Sequence, residues 1–171
     1  YDFGFETFVD ELCLNNPTCA SVVVPELISM MSETGKMSHL DTIIEDVINS
    51  DTFSIRFKER VQNRAVRAFS RRHLYTKVLK VLENYSEAIF QGLEVKYDDI
   101  DILYENLSSL STAYNELNQA ENYQIVSEYF DKVKSSSFAL LNDCVRQDIL
   151  LDKYLDLIEQ KDTTQALKLL S

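Results

Sequence analysis

Turn-forming residues are scarce in this chain. Only 3 Gly and 2 Pro occur in 171 residues, whereas an all-β sandwich or barrel needs many tight turns that depend on such residues. Apolar residues instead recur every three or four positions, which is the spacing of one face of an α-helix. No stretch alternates apolar and polar residues as a half-buried strand does. The sequence therefore predicts an all-α fold without a sheet and with more than about 65% helix, against about one third in an average domain.

The periodicity divides the chain into about eight to nine helices, arranged as a compact helical bundle or a short α-solenoid. Asn15-Asn16-Pro17 should end the first helix, and Pro25 should start or kink the second. Ser50 or Asp51 should cap a long pattern that is either one helix or a pair broken near Arg71–His73, and the pair fits typical helix lengths better. The other predicted helices cover residues 3–14, 21–32, 39–48, 99–117, 121–134, 138–160 and 162–170, with caps at Ser38, Asp98 and Asp162.

Charge is distributed in three blocks. The chain has a formal charge of −11, and residues 1–55, 56–80 and 81–171 contribute −9, +8 and −10 respectively. The length is that of one domain. We expect a single helical domain over residues 1–171, with acidic N-terminal helices over 1–50, a basic long helix or helix pair over 51–92 and acidic C-terminal helices over 98–171. Because residue 1 is Tyr rather than Met, we expect the domain to be excised from a longer protein.

Five arginines define a stripe within the basic block. They follow one another at spacings of 4, 4, 3 and 4, which places all five along one helix face. These residues are Arg56, Arg60, Arg64, Arg67 and Arg71. The stripe is offset by about 100° from the apolar positions of the same segment, which begin with Phe53 and Phe57. Like charges at this spacing destabilise a helix, so the stripe requires negative groups nearby.

Two sources can supply those negative groups. The acidic helices on either side can neutralise the arginines internally, or an external partner can do so, since the guanidinium binds carboxylate and phosphate in a bidentate manner. If the use is external, we predict that the five arginines bind an acidic or amphipathic protein segment. A second copy of the chain is one form of such a partner. Nucleic acid is the less favoured partner because the whole chain is strongly acidic.

Recognisable catalytic and cofactor motifs are missing from the sequence. The three glycines are far apart, so no glycine-rich phosphate loop is present, and the only histidines are His39 and His73. Two groups of carboxylates, Glu45-Asp46 and Asp98-Asp99-Ile100-Asp101, could bind Mg²⁺ or act as acid and base. Acids in the first turn of a helix are nevertheless routine. We therefore predict no enzyme activity, no catalytic residue, no cofactor and no metal.

The cysteines point to a reducing compartment. Their number is odd, and the spacing of Cys13, Cys19 and Cys144 fits no common zinc pattern. We predict three free thiols and an intracellular location, cytoplasmic or nuclear. No apolar run approaches the roughly 20 residues that a bilayer span needs, so we predict no membrane partner.

Two local resemblances add to this interpretation. Residues 154–170, which read YLDLIEQKDTTQALKLL, resemble the closing hairpin of many helical-repeat scaffolds, in which two helices pack around a small residue, here Ala166. A second likeness is to the dimerisation domain of telomere-repeat-binding factors. It rests on Arg67-Ala68-Phe69, on Glu87–Leu93 and on the same C-terminal segment, and nothing before Arg67 has a counterpart. This resemblance implies a dimeric helical domain that binds peptides.

The sequence thus favours a non-catalytic protein–protein interaction, scaffold or oligomerisation domain. The alternative is a chromatin- or nucleic-acid-associated helical domain that uses the basic segment 56–80, as a telomere-factor-like dimerisation module. The two readings differ in their expected salt dependence, because phosphate binding weakens steeply with salt.

Overall fold

The computed structural model describes residues 11–12, 15–34, 40–51, 53–160 and 165. Over these residues the chain is 82% helical and contains no strand, which confirms the all-α prediction. Eight α-helices are present in this part of the chain: α1 (Pro17–Thr34), α2 (Leu40–Asn49), α3 (Ile55–Ser70), α4 (Tyr75–Val81), α5 (Glu83–Phe90), α6 (Ile100–Glu116), α7 (Ala120–Ser137) and α8 (Asp143–Glu159). A short 3-10 turn, Phe138–Leu140, separates α7 from α8. None of the described helices is long and apolar enough to cross a membrane.

Helix α1 begins earlier than the sequence predicted. Asn16 does not merely end a preceding helix, because its side-chain Oδ1 accepts a hydrogen bond from the backbone N–H of Cys19 at 3.1 Å. Pro17 then occupies the first helical position, where a missing N–H costs nothing. Pro25 lies inside the helix and neither starts it nor ends it. The predicted helices over 3–14 and 162–170 and the cap at Ser38 lie outside the described residues, apart from a few isolated positions.

The long pattern over 51–92 forms three helices rather than one or two. Ser54 caps α3 by accepting from the N–H of Phe57 at 3.3 Å, so Ser50 and Asp51 were the wrong caps. The predicted break near Arg71–His73 is confirmed. There Leu74 N–H donates to the Phe69 carbonyl at 3.0 Å, the bond that closes a Schellman motif, and His73 has a positive φ of 56°.

A second break lies at Leu82, between α4 and α5, and the sequence gives no sign of it. The apolar stripe continues through this position, but the backbone of Leu82 leaves the helical region with φ −102° and ψ 22°. Its side chain is completely buried. Tertiary packing therefore overrides the local helical preference here. Gly92, with φ 71°, ends α5 as predicted.

The later boundaries shift by one to a few residues. Asp99 rather than Asp98 caps α6, since its Oδ1 accepts from the N–H groups of Asp101 and Ile102 at 3.0 and 3.3 Å. The predicted helix over 138–160 is interrupted at Leu141–Asn142. Asn142 caps α8 instead, accepting from the N–H of Val145 at 3.0 Å.

Helix α3 lies at the centre of the bundle and packs against α1, α2, α4 and α6. Helix α6 also packs against α4 and α7, and α5 packs against α7. The apolar stripe predicted for α3 is buried, including Phe57, Val61 and Ala65. The largest fully buried apolar and aromatic side chains come from α1, α2, α3 and α6 and from the segment around Leu82: Ile28, Leu40, Ile44, Phe69, Leu82, Tyr85, Leu103, Leu107 and Leu110.

Polar side chains are buried inside this core, and Asn63, Asn106 and Tyr85 are connected to one another by hydrogen bonds. Asn106, which is fully buried, accepts from Asn63 Nδ2 at 3.3 Å and donates through its own Nδ2 to the hydroxyl oxygen of Tyr85 at 3.2 Å. Gln62 donates to the Val81 carbonyl at 3.0 Å. Burial raises the pKa of Tyr85 to about 12, so its hydroxyl remains neutral at physiological pH. Among the described residues, no buried side-chain polar atom lacks a partner.

We expect Asn106→Ala to destabilise the protein, because it leaves Asn63 and Tyr85 with unmade bonds inside the core. An unsatisfied buried polar group costs about 1–3 kcal/mol. Asn115→Ala on the same helix is the matched control, since Asn115 is exposed and the change in helix propensity is the same. Urea unfolding would measure both. Equal unfolding free energies for the two variants would contradict the assigned role of the buried amide.

Candidate binding site

The arginine stripe opens onto a cleft of about 360 Å³ between α1, α3 and the start of α6. We call it the arginine cleft. Its lining residues are Val22, Pro25 and Glu26 from α1, Arg60, Asn63, Arg64 and Arg67 from α3, and Asp99 and Ile102 from the start of α6. Three of the five predicted site residues, Arg60, Arg64 and Arg67, are therefore brought together. Arg56 and Arg71 lie on the same helix or at its end but outside the cleft.

Two of the cleft arginines already hold carboxylates of the chain. Arg64 Nη2 is 3.0 Å from Glu26 Oε1, which joins α3 to α1. Arg67 binds both carboxylate oxygens of Glu105 on α6, through Nη2 at 2.5 and 2.6 Å and through Nε at 3.1 Å. Asn63 adds a further hydrogen bond to Glu105 Oε2 at 2.9 Å. Glu105 is thus held by a forked guanidinium and an amide, the arrangement that is favoured for planar carboxylate recognition.

Arg60 differs from its neighbours. It is half-buried in the cleft, and no carboxylate lies within 4.0 Å of it among the residues that the structure describes. Asp99, the lining acid at the start of α6, uses its Oδ1 to cap that helix. Arg60 is therefore a guanidinium inside a carboxylate-binding cleft that receives no carboxylate from the described part of the chain.

The rest of the basic block is largely neutralised internally. Arg56 Nε lies 3.8 Å from Asp98 Oδ2, and Lys77 Nζ lies 2.5 Å from Asp41 Oδ2. Lys80 pairs with Glu45, and Arg72 donates to the backbone carbonyl of Ser32. Within the described part of the chain Lys58, Arg60 and Arg71 have no such partner. The sequence left open whether the basic block is neutralised internally or by a partner. Acids of the chain itself neutralise most of the block, and Lys58, Arg60 and Arg71 are left without a partner among the described residues.

Sequence reasoning missed the acids that complete the cleft. Glu26 and Glu105 each lie 38 residues from the arginine that they contact, so no spacing along the chain signals the pairing. The sequence also gives no sign of the role of Glu59, which is the one acid in residues 56–80. Glu59, which directly precedes Arg60 in the chain, is buried and only 2% exposed.

Glu59 fixes the edge of the arginine cleft. Its Oε1 accepts from the N–H of Asp98 at 2.9 Å and its Oε2 accepts from the N–H of Asp99 at 3.2 Å. These bonds tie the loop before α6 to α3 and so position Asp99 in the cleft. Desolvation raises the pKa of Glu59, and the nearby charges of Asp98 and Asp99 raise it further, against the lowering effect of the two backbone hydrogen bonds.

Within the described residues, no cluster of metal-binding side chains accompanies the arginine cleft. Among the described residues, no group of three or more His, Cys, Asp and Glu side chains is arranged to hold a metal ion. Cys19 is an exposed free thiol, and the side chains of Cys13 and Cys144 are outside the described set. Asp99 and Asp101 serve structure, because the first caps α6 and the second accepts from the N–H of Asn142 at 3.0 Å.

Comparison with known proteins gives no relative. No family model matches the chain, and no curated protein or solved structure matches it at a significant level.

The raised pKa of Glu59 has a consequence for stability. A carboxyl whose folded-state pKa exceeds its unfolded value makes a contribution that is present at pH below about 4.5 and is lost as the pH rises through the folded pKa. We expect the unfolding free energy of the wild type, minus that of Glu59→Gln, to fall as the pH rises from about 4.5. Urea unfolding from pH 4 to pH 8 would measure this difference, and a flat or rising difference would refute it.

Proposed function

We propose that this protein is a non-catalytic interaction module whose arginine cleft binds an acidic segment of a partner protein. The observation that carries the proposal is Arg60, a half-buried guanidinium that has no carboxylate within 4.0 Å among the described residues, while its neighbours Arg64 and Arg67 each hold one. An incoming Asp or Glu side chain would give Arg60 the partner that the described residues do not supply.

The composition of the arginine cleft supports a peptide as its ligand. Val22, Pro25 and Ile102 provide apolar surface beside the guanidinium groups, and Val22 is 63% exposed. A segment that combines carboxylates with an apolar side chain would use both parts of the lining. This is the amphipathic acidic chemistry that the stripe suggested.

The same composition weighs against nucleic acid. Glu26, Asp99 and Glu105 lie in or beside the cleft. Their charges oppose a duplex more than a short acidic segment, because a duplex brings about one negative charge per 1.7 Å over its whole length. The net charge of −11 extends this repulsion to the parts of a long duplex that lie outside the cleft. A chain of phosphates also requires a continuous basic surface, whereas five of the nine basic side chains in 56–80 are already paired with carboxylates.

We expect Arg60→Glu to weaken the binding of an acidic peptide by about tenfold or more, since a desolvated charge pair becomes a repulsion. Arg71→Glu is the matched control, because Arg71 has the same charge and lies on the same stripe. It lies about 16 Å from Arg60 along the helix axis, well beyond the screening length of about 8 Å at physiological salt. The affinity of the Arg71→Glu variant for the acidic peptide should therefore stay within about twofold of the wild type.

The measurement is fluorescence anisotropy with labelled hexaglutamate and with a heptapeptide that has leucine between two triglutamate blocks. The leucine peptide should bind more tightly if the apolar lining takes part. Thermal melting would verify that both variants fold. Equal affinities for Arg60→Glu and Arg71→Glu would overturn the cleft as the site. Tighter binding of a 20-base-pair DNA duplex, with a steep salt dependence, would favour the nucleic-acid alternative.

Homodimerisation stays a prediction of the telomere-factor resemblance. Sedimentation velocity on the same samples would measure it. A dimer that Arg60→Glu dissociates would make the acidic partner a second copy of this chain.

A further inference from the structure

Helix α8 carries a row of exposed apolar side chains. Leu151, Leu155 and Ile158 are 55%, 50% and 42% exposed, and they follow at i, i+4 and i+7, so they form one stripe along the helix. We call this stripe the outer face of α8. Leu150, on the flank of the stripe, is also exposed. Single exposed apolar residues are normal, but a row at helical spacing marks a surface for another element.

The outer face points away from the bundle. The buried side of α8 lies opposite, where Val145 is buried and Ile149 is half-buried. These residues lie about 120° and 160° around the helix from Leu151. The N-terminal end is anchored further by Asn142, whose N–H donates to Asp101 at 3.0 Å. Helix α8 is therefore amphipathic, but its stronger apolar stripe has no partner within the described bundle.

The inner side of α8 borders a cavity of about 480 Å³. Tyr104 and Phe138 contribute to it from the bundle, and α8 contributes the apolar Ile149 and Leu150 and the charged Asp152, Lys153 and Asp156. The three charged residues are exposed, so they lie at the open rim of this cavity and remain accessible beside the outer face.

Charge identifies the chemistry of the occupant. Over Asp143–Glu159 the sequence has five acids and two bases, a net charge of −3. One of the bases, Arg146, is paired with Asp143 on the same helix. A second copy of the chain would bring another acidic α8 and a further charge of −11 to the contact, so self-association through this face is opposed by repulsion.

We propose that the outer face of α8 docks a basic amphipathic helix of another protein. Leu151, Leu155 and Ile158 would pack against apolar residues at i, i+4 and i+7 of that helix. Lysines or arginines at its edge would face Asp152, which is exposed and lies about 60° around α8 from Leu155. This surface is separate from the arginine cleft and takes the opposite charge. The proposal does not depend on the cleft, and Arg60→Glu leaves it unaffected.

The probe is a labelled 18-residue helical peptide of Leu and Lys with leucines at i, i+4 and i+7. A peptide of the same composition, reordered so that no stripe forms, has the same charge and is the peptide control. The test variant combines Leu151→Ser, Leu155→Ser and Ile158→Ser. The control variant combines Leu93→Ser, Ile55→Ser and Ile125→Ser, whose side chains are 56%, 51% and 44% exposed and so match the test set closely.

We expect the test variant to lose about tenfold or more in affinity for the amphipathic peptide, and the control variant to stay within about twofold of the wild type. The reordered peptide should bind the wild type about tenfold more weakly or worse. Both variants should keep the wild-type melting temperature within a few degrees, because the substituted side chains are exposed.

Four results would overturn the proposal. Equal losses of affinity in the test and control variants would show that the outer face is not the binding site. Equal affinity of the wild type for the reordered and the amphipathic peptide would show that the contact depends on charge alone. A wild-type dimer that only the test variant dissociates would make the occupant a second copy. A clear drop in the melting temperature of the test variant alone would mean that the face is covered by another part of this chain.

Discussion

The burial of α3 on most of its circumference forces polar side chains into the core. Four helices pack around it, so Glu59, Gln62 and Asn63 are enclosed together with the apolar residues of the stripe. Each of these polar groups is satisfied by a residue from a different part of the chain. Because an unpartnered buried polar group is costly, these bonds also fix how α6 and the loops around it sit against α3.

The same enclosure leaves only one side of α3 open, and the arginines occupy it. Arg64 and Arg67 reach outward to α1 and α6 and hold Glu26 and Glu105. Partly exposed ion pairs of this kind contribute little stability each. Their larger effect is to define a cleft in which carboxylates are bound in known geometry, and Arg60 lines the same cleft.

Much of the fold could be predicted from the sequence, because helical periodicity and scarce turn residues are local properties. The class, most helices and the break near His73 follow from them. The break at Leu82 could not be predicted, since the apolar pattern runs through it and only tertiary packing interrupts the helix. Only part of the arginine cleft could be predicted. The spacing of the arginines placed them on one face, but their partners Glu26 and Glu105 are distant in sequence, and the burial of Glu59 depends on a loop 39 residues away.

Within the described residues, α8 is attached to the bundle at its N-terminal end, and this has a consequence for its dynamics. Leu141 and Val145 are buried at its start, whereas Leu151, Leu155 and Ile158 remain largely in solvent. Opening the last two turns would therefore expose little additional apolar surface, and its free energy must be lower than that of global unfolding. Amide hydrogens near the end of α8 should exchange through this local opening, while those of α3 exchange only when the whole bundle unfolds. A partner bound to the outer face would stabilise the helical state of the segment that it contacts. It would therefore raise the free energy of this local opening toward that of global unfolding.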